Sequence, residues 1–432
     1  MNKPVNANQE FQSDFLSVTE ARTAISAVIH SIQAQARLHE AIESLPLKEC
    51  LGRILASDVL SPINVPANDN SAMDGFAFNG KELDAAQDPV NLRIAGAIYA
   101  GQTHSPSIQM GECIKVMTGA MMPPNCDTVI PQEFTKSSEE GSITFAKDTV
   151  RAGDNRRLCG EDLQAGKPAI QRGRILKASD IGLAASLGIA KLEVYQRIKV
   201  AILSSGDELC SIGVPLQPGK IYDSNRFSLH ACLSKLGFEI IDCGIVHDTP
   251  DDLRQAFMQA AQKADVIISS GGVSVGEADF TKQIMEELGQ VGFWKIAMRP
   301  GRPMAFGSLK PVSPKTAPTV FFGLPGNPVA VMVTFYQFVR NALLHLNGAL
   351  NPEIPLVSIQ SAEAIRKKSG RTEFQRGILF RDPEGRLLVK STGSQGAGIL
   401  RSMSEADCFM ILHHHQGNIA PGDWVDVEIF DG

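Results

Sequence analysis

The chain has 432 residues, 43% of them hydrophobic and 20% charged, with a formal net charge of -6. That length implies about two to four domains, each able to bury a core. The acidic balance excludes the basic surplus of a nucleic-acid protein but leaves room for a local basic pocket around a small anion.

Residues 1–15 are polar and lack the charged-then-apolar layout of a signal peptide. Residues 17–38 are expected to form a helix. Ser17 can cap its start, and Val18, Ala21, Ile25, Val28, Ile29 and Ile32 recur at helical spacing. A short apolar segment follows around Leu47 and 51–59. Residues 61–78, rich in Pro, Asn and Asp, read as a long loop. Residues 91–145 alternate short apolar runs with Gly and Pro and read as strand-rich. Loop and short strand fill 151–176, ahead of a helix over 178–187. From Ile198 the pattern becomes regular. Strands are expected at 200–203, 239–246, 266–268, 293–297 and 320–322. Helices are expected at 225–236, 250–264, 280–288 and from Pro328 on. Continuous apolar strands separated by helices predict a parallel-type sheet covered on both faces, a three-layer α/β/α domain. The apolar stretch 328–346 is interrupted by Gln337, Arg340 and His345, so a core helix is expected rather than a membrane span. Beyond Gly348 and Pro352 the chain turns strand-rich again. The expected fold is thus multidomain, α/β plus β-rich. It comprises a helical and loop-rich linker domain (1–60 and 146–195), an inserted β-rich domain (61–145), the α/β domain (196–348) and a β-rich C-terminal domain (349–432).

The eight cysteines, Cys50, Cys113, Cys126, Cys159, Cys210, Cys232, Cys243 and Cys408, are scattered, with no C-x-x-C pair. They suggest neither a zinc site nor a disulfide framework, and a reducing cytosol is the expected setting. His413, His414 and His415 lie in an apolar run and read as surface strand, not as a site, because successive strand residues face opposite ways.

Ligands of open parallel sheets bind at the carboxyl ends of the strands. Three such ends are rich in Gly, Ser and acids: Ser204 to Glu208, Ser269 to Asp279, and Gly323 to Pro328. Ser205, Gly206, Gly271, Gly272, Ser274, Gly276, Gly326 and Asn327 would bring backbone N–H groups close to a phosphate, with Asn327 capping a helix whose first residue is Pro328. Asp207, Glu208, Asp248 and Asp279 would stand beside that anion, an arrangement that suits a bridging Mg²⁺. Arg299 and Arg302 flank a Pro-Gly turn and offer planar forks to a tetrahedral oxyanion. In the N-terminal half, the loops around Asp74, Thr118 and Asp162 could hold a metal, but each taken singly reads rather as a structural, capped turn.

Six strings occur in one order: NSAMDGFA (70–77), MTGA (117–120), RRLCGED (156–162), SGDE (205–208), SSGGVSVGEAD (269–279) and GLPGNP (323–328). Together they resemble the molybdopterin molybdenumtransferase (MoeA) family, which is similar to the E domain of gephyrin and of the plant two-domain enzyme. The resemblance runs from about Ser17 to the C-terminus. It implies insertion of molybdate into adenylylated molybdopterin, with release of AMP and a divalent cation, usually Mg²⁺. It also implies a cytoplasmic homodimer whose active sites are shared between subunits, with no nucleic-acid or membrane partner and with the molybdopterin adenylyltransferase as a possible one. The family's acidic positions fall on Asp74, Asp162, Glu208, Asp248 and Asp279. Of these, Asp74, Asp162, Asp248 and Asp279 are implied to hold metal. Thr118, Lys295, Pro325, Pro328 and Arg376 match further functional positions. Lys295 is implied to act in catalysis, and Arg299, Arg302 and Arg376 in molybdate capture. Four positions depart from the pattern. Arg299 and Arg302 stand where the family commonly has Lys, and Ala330 and Ala397 where it has Ser. Two other readings were weighed, an adenylyltransferase acting on molybdopterin and a gephyrin-like scaffold without catalysis. The N-terminal motifs and C-terminal domain speak against the first, and the absence of an attached adenylyltransferase domain against the second.

Overall fold

The computed structural model describes residues 15–36, 41–102, 107–138, 141–271, 280–313 and 317–430. The chain divides into two compact units. One comprises Asp58–Arg172 and Ala178–Ala190; the other comprises the chain up to Ser57, Gly173–Lys177 and everything from Lys191.

The smaller unit is built on a six-stranded sheet. Its strands are β1 (Gly75–Phe78), β2 (Val90–Ile98), β3 (Glu112–Val116), β4 (Thr128–Pro131), β5 (Lys136–Ser137) and β6 (Ser142–Phe145), in the order β4-β1-β3-β2-β6-β5. The sequence reading placed Gly75–Phe78 in a long loop, and the structure corrects this. The four residues are all buried and pair with both β3 and β4. A strand that short, flanked by Asp and Asn, shows no period in its sequence; burial on both faces gives it its place.

In the larger unit, α1 (Val18–Ala36) begins with a capping box. The Ser17 N–H donates to Glu20 Oε2 at 2.7 Å, and the Glu20 N–H donates to Ser17 Oγ at 3.2 Å. Val18, Ala21, Ile25, Ile29 and Ile32 face the main core, as their spacing requires. The α/β part contains β7 (Lys199–Ser205), α2 (Asn225–Lys235), β8 (Glu239–Val246), α3 (Pro250–Lys263), β9 (Val266–Ser270), α4 (Phe280–Leu288) and β10 (Gly289–Lys295). Next comes the short β11 (Met298–Arg299), which belongs to another sheet. It is followed by β12 (Pro303–Leu309), β13 (Thr319–Leu324), α5 (Pro328–Thr334), a π turn (Phe335–Val339) and α6 (Arg340–Leu346). The sheet order is β8-β7-β9-β13-β12-β10. The first four strands are parallel, as expected. Strands β12 and β10 are antiparallel, and β12 was not foreseen. Its run PMAFGSL reads in isolation as the tail of a turn; pairing on both sides, with β10 and β13, makes it a strand. The expected core helix at Pro328–Leu346 is apolar enough to cross a membrane, but 78% of its most apolar window is buried inside the protein.

The C-terminal strands are β14 (Val357–Ser361), β15 (Thr372–Arg381), β16 (Leu387–Ser391), β17 (Cys408–Leu412) and β18 (Trp424–Ile429). They run in the order β15-β16-β14-β18-β17, and β17 pairs back to β15, closing a barrel with β11 added outside β15. His413 to His415 form a turn after β17 rather than the expected strand. His413 Nε2 lies 2.8 Å from Asp426 Oδ2, which accounts for that histidine as a hydrogen-bonded residue on the barrel surface.

Candidate active site

The carboxyl ends of β7, β9 and β13 lie side by side: Ser204 stands opposite Ser270, and Ser270 opposite Leu324. All three strands are apolar until they reach this edge, where Ser204, Ser205, Ser269 and Ser270 are still buried. The Gly271 N–H donates to the Leu324 carbonyl at 3.2 Å. Gly271 has φ +91°, and a Cβ there would stand 2.3 Å from the Ser205 carbonyl oxygen. Only glycine lets these two loops approach so closely. Gly206 follows Ser205, and Pro325, Gly326 and Asn327 complete the edge. Asn327 has the backbone of a helix cap with Pro328 at the first helical position, as expected, but its side chain makes no capping hydrogen bond.

Two side chains that sequence reasoning missed tie this edge together. Asn225 Nδ2 donates to Ser270 Oγ at 2.8 Å and to the Gly326 carbonyl at 2.7 Å, joining the loops after β9 and β13. Buried Asp223 accepts from Ser204 Oγ at 3.0 Å and from Arg226 Nε at 2.9 Å. Their signal was the string Asp223-Ser224-Asn225 at the start of α2, polar residues arriving at the same edge.

Beyond Gly206 the acids gather. Asp207 and Glu208 are exposed. Asp248 is partly buried, and its carboxyl is held above the usual range, first by burial and then by the negative charges of Asp207 and Glu208. The negative charges of Asp207 and Glu208 thus reach Asp248, and a cation bound nearby would relieve that repulsion. Among the described residues, no three His, Cys, Asp or Glu side chains are close enough to hold an ion by themselves. Gly272, Ser274, Gly276 and Asp279 lie outside the described residues.

A second cleft, of about 270 Å³, opens where β11 meets the barrel. Arg299, Glu363, Glu373, Gln375, Arg376 and Gln395 line it. Arg299 is carried by β11, opposite Glu373 of β15. It ends in the Pro300-Gly301 turn, where Gly301 has φ +94° and a Cβ would meet Thr334 Cγ2 at 2.7 Å. Arg376 is 1% exposed, and its pKa is pushed down to about 10, first by burial and then by the neighbouring charge of Arg299. Two cations therefore share this cleft with the carboxylates of Glu363 and Glu373. Glu373 is occupied elsewhere, paired with Arg371 at 2.8 Å and accepting from Gln375 Nε2 at 3.1 Å.

The other basic residues expected here stand apart. Arg302 does not line the cleft; its guanidinium lies over the Phe15 ring, 4.2 Å from the centroid. Lys295 is exposed at the end of β10, and its carbonyl accepts from the Leu16 N–H at 2.9 Å. Ala330 is buried in α5, and the Ala397 carbonyl accepts from the Val329 N–H at 3.0 Å.

In the smaller unit, Asp74 precedes β1 and Thr118 follows β3. The Thr118 backbone N–H donates to Asp74 Oδ1 at 2.7 Å and its hydroxyl at 2.8 Å, which together lower the Asp74 pKa. Both residues are therefore placed together. Asp162 is held through its backbone N–H to the Val65 carbonyl at 3.0 Å, and its carboxylate makes no hydrogen bond with a described residue.

With this geometry established, comparison with known proteins identifies the family. Residues 16–188 match the MoeA N-terminal region (domain I and II), 201–345 a probable molybdopterin binding domain, and 358–430 the MoeA C-terminal region (domain IV). The chain is 42% identical over 390 residues to the molybdopterin molybdenumtransferase of Haemophilus influenzae, covering 90% of this chain and 94% of that one. It is 36% identical over 365 residues to the enzyme of the same name from a Nostoc species, covering 84% and 82% of the two chains. The fold matches a crystal structure of the molybdopterin biosynthesis MoeA protein of Pyrococcus horikoshii with a TM-score of 0.76 at 25% identity, covering 96% of this chain and all of that one. On these matches, the chain belongs to the molybdopterin molybdenumtransferase family.

Proposed function

We propose that this protein inserts molybdate into adenylylated molybdopterin, forming the molybdenum cofactor and releasing AMP. The carrying observation is that Arg299 and buried Arg376 line one cleft, where the charge of Arg299 acts on Arg376. Two planar forks suit a tetrahedral dianion. Molybdate is the substrate captured there.

The carboxyl edge of the sheet takes the other substrate. The Ser205 hydroxyl and the backbone N–H groups of Gly206, Gly326 and Asn327 would serve as donors to the adenylyl phosphate. Asp248, with Asp279, would hold Mg²⁺, and Asp207 and Glu208 add negative charge around it. Bound there, the cation would neutralise charge on the phosphoanhydride. The protein's own groups orient the phosphate and keep it beside the metal site. No side-chain nucleophile is required.

The chain acts as a cytoplasmic homodimer in this reading, with the Asp74–Thr118 loop of one subunit serving the α/β edge of the other. Support comes from the exposed apolar residues Ile212, Val214, Leu216, Ile221 and Tyr222 in the segment that follows Glu208. Such a patch is characteristic of a protein interface.

The test is stoichiometry. Purified protein given molybdopterin adenylate, molybdate and Mg²⁺ should release one AMP for each molybdenum retained on the pterin. AMP release at the same rate without molybdate would refute the insertion reading.

A further inference from the structure

We propose that Gln395 and Ser402 are positioning residues of the oxyanion cleft, and that the segment 392–402 which carries them is a harness for the guanidinium of Arg376. The inference rests on the oxyanion reading of that cleft and deepens it.

The regular pairing of β15 with β16 ends at Gly377, opposite Ser391. Arg376 is the next residue; its carbonyl still accepts from the Thr392 N–H at 3.1 Å and its other side pairs with Phe409 of β17, and here a side chain joins the ladder. The Arg376 N–H donates to Gln395 Oε1 at 2.8 Å, and Gln395 Nε2 donates back to the Arg376 carbonyl at 3.2 Å. The same Nε2 lies 3.3 Å from both Thr392 Oγ1 and the Gly393 carbonyl. The orientation of this amide is unambiguous, because only its oxygen can accept from an N–H and only its nitrogen can donate to carbonyls. Gln395 therefore acts like an added peptide group that completes the pairing of the backbone from which Arg376 projects.

Ser402 fixes the other end. Arg376 Nε donates to Ser402 Oγ at 3.1 Å, and Nη2 donates to the Gly396 carbonyl at 3.2 Å. The Ser402 hydroxyl donates in turn to the Ile399 carbonyl at 2.7 Å, which leaves a lone pair facing the arginine. A guanidinium has about five N–H donors. Two are thus committed to the harness, and the remainder are left to the cleft that Arg376 lines. The harness is anchored at a third point, where the Ala397 carbonyl accepts from the Val329 N–H at 3.0 Å in the first turn of α5. All of these partners are neutral. They hold the cation without cancelling its charge, which a carboxylate at either position would do.

The experiment titrates sodium molybdate into the purified full-length protein by calorimetry, for wild type, Ser402→Ala, Ser402→Thr and Gln395→Glu. Km values for molybdate and for molybdopterin adenylate are measured in parallel. Ser402→Ala leaves a buried N–H unpaired and should weaken molybdate binding about tenfold. Ser402→Thr keeps the hydroxyl and should bind within about threefold of wild type. Gln395→Glu loses the donor and sets an anion in the cleft wall, and should weaken binding by at least about tenfold. Km for molybdopterin adenylate should not move in any of them. Wild type that binds no molybdate overturns the oxyanion reading and this inference with it. Wild-type binding that survives unchanged in Ser402→Ala and Gln395→Glu overturns the inference alone. Equal losses toward both substrates show a merely structural role and overturn it as well.

Discussion

The two anion-binding regions of the larger unit are made from different materials. At the carboxyl edge of the α/β sheet the donors are backbone amides and hydroxyls, and the charged side chains nearby, Asp207, Glu208 and Asp248, are acids. At the cleft between β11 and the barrel the donors are the guanidiniums of Arg299 and Arg376. An edge rich in carboxylates cannot hold a phosphate by charge alone and needs a cation between them. A cleft with two converging guanidiniums holds its anion directly. On the proposed function, the contrast separates a metal-dependent site from a metal-independent one within the same unit.

Substitutions can break this contrast or sharpen it. Arg376→Ala should have the largest effect. It removes a charged partner of the oxyanion and should weaken molybdate binding about a hundredfold, read by calorimetry, while leaving affinity for molybdopterin adenylate unchanged. Next, Gly271→Ala should destabilise the larger unit by about 2 kcal/mol or more, read by thermal or denaturant unfolding, because a Cβ at φ +91° meets the Ser205 carbonyl. The acids make a pH prediction. If Asp248 holds the proposed cation, its protonation removes a ligand, and because its pKa is raised by burial and by Asp207 and Glu208, turnover should fall with decreasing pH sooner than for an ordinary carboxylate. Asp207→Asn relieves part of the repulsion and should move that acid limb of the pH–rate profile to lower pH. The smallest effect is expected for Arg302→Ala. That side chain lies over Phe15 outside the cleft, so molybdate affinity should change by less than about threefold and stability by about 1 kcal/mol or less.

The two regions were also unequally legible in the sequence. The edge could be read because each of its loops follows an apolar strand directly, so Ser204 to Glu208, the start of the Ser269 loop and Gly323 to Pro328 were placed together by topology alone. Asn225 and Asp223 escaped because they reach the edge from the start of a helix, not the end of a strand. The cleft could not be assembled from spacing. Arg299, Glu363, Arg376 and Gln395 are far apart in the chain, and it is the pairing of β11 with β15 that brings them together. The Arg299–Arg302 turn suggested one paired receptor; the structure instead pairs Arg299 with Arg376 and sends Arg302 to Phe15. The fold showed the same pattern. Amphipathic α1 and the parallel strands were evident from periodicity, whereas β1 and β12 depend on partners distant in sequence.

The most direct test of the division into metal-dependent and metal-independent sites is molybdate affinity measured by calorimetry on the same protein with Mg²⁺ and with a chelator in its place. The guanidinium cleft predicts the same affinity in both, although AMP release from molybdopterin adenylate stops in the chelator. Molybdate affinity that collapses along with AMP release would show that the oxyanion, too, is held through a cation, and would contradict the role assigned to Arg299 and Arg376.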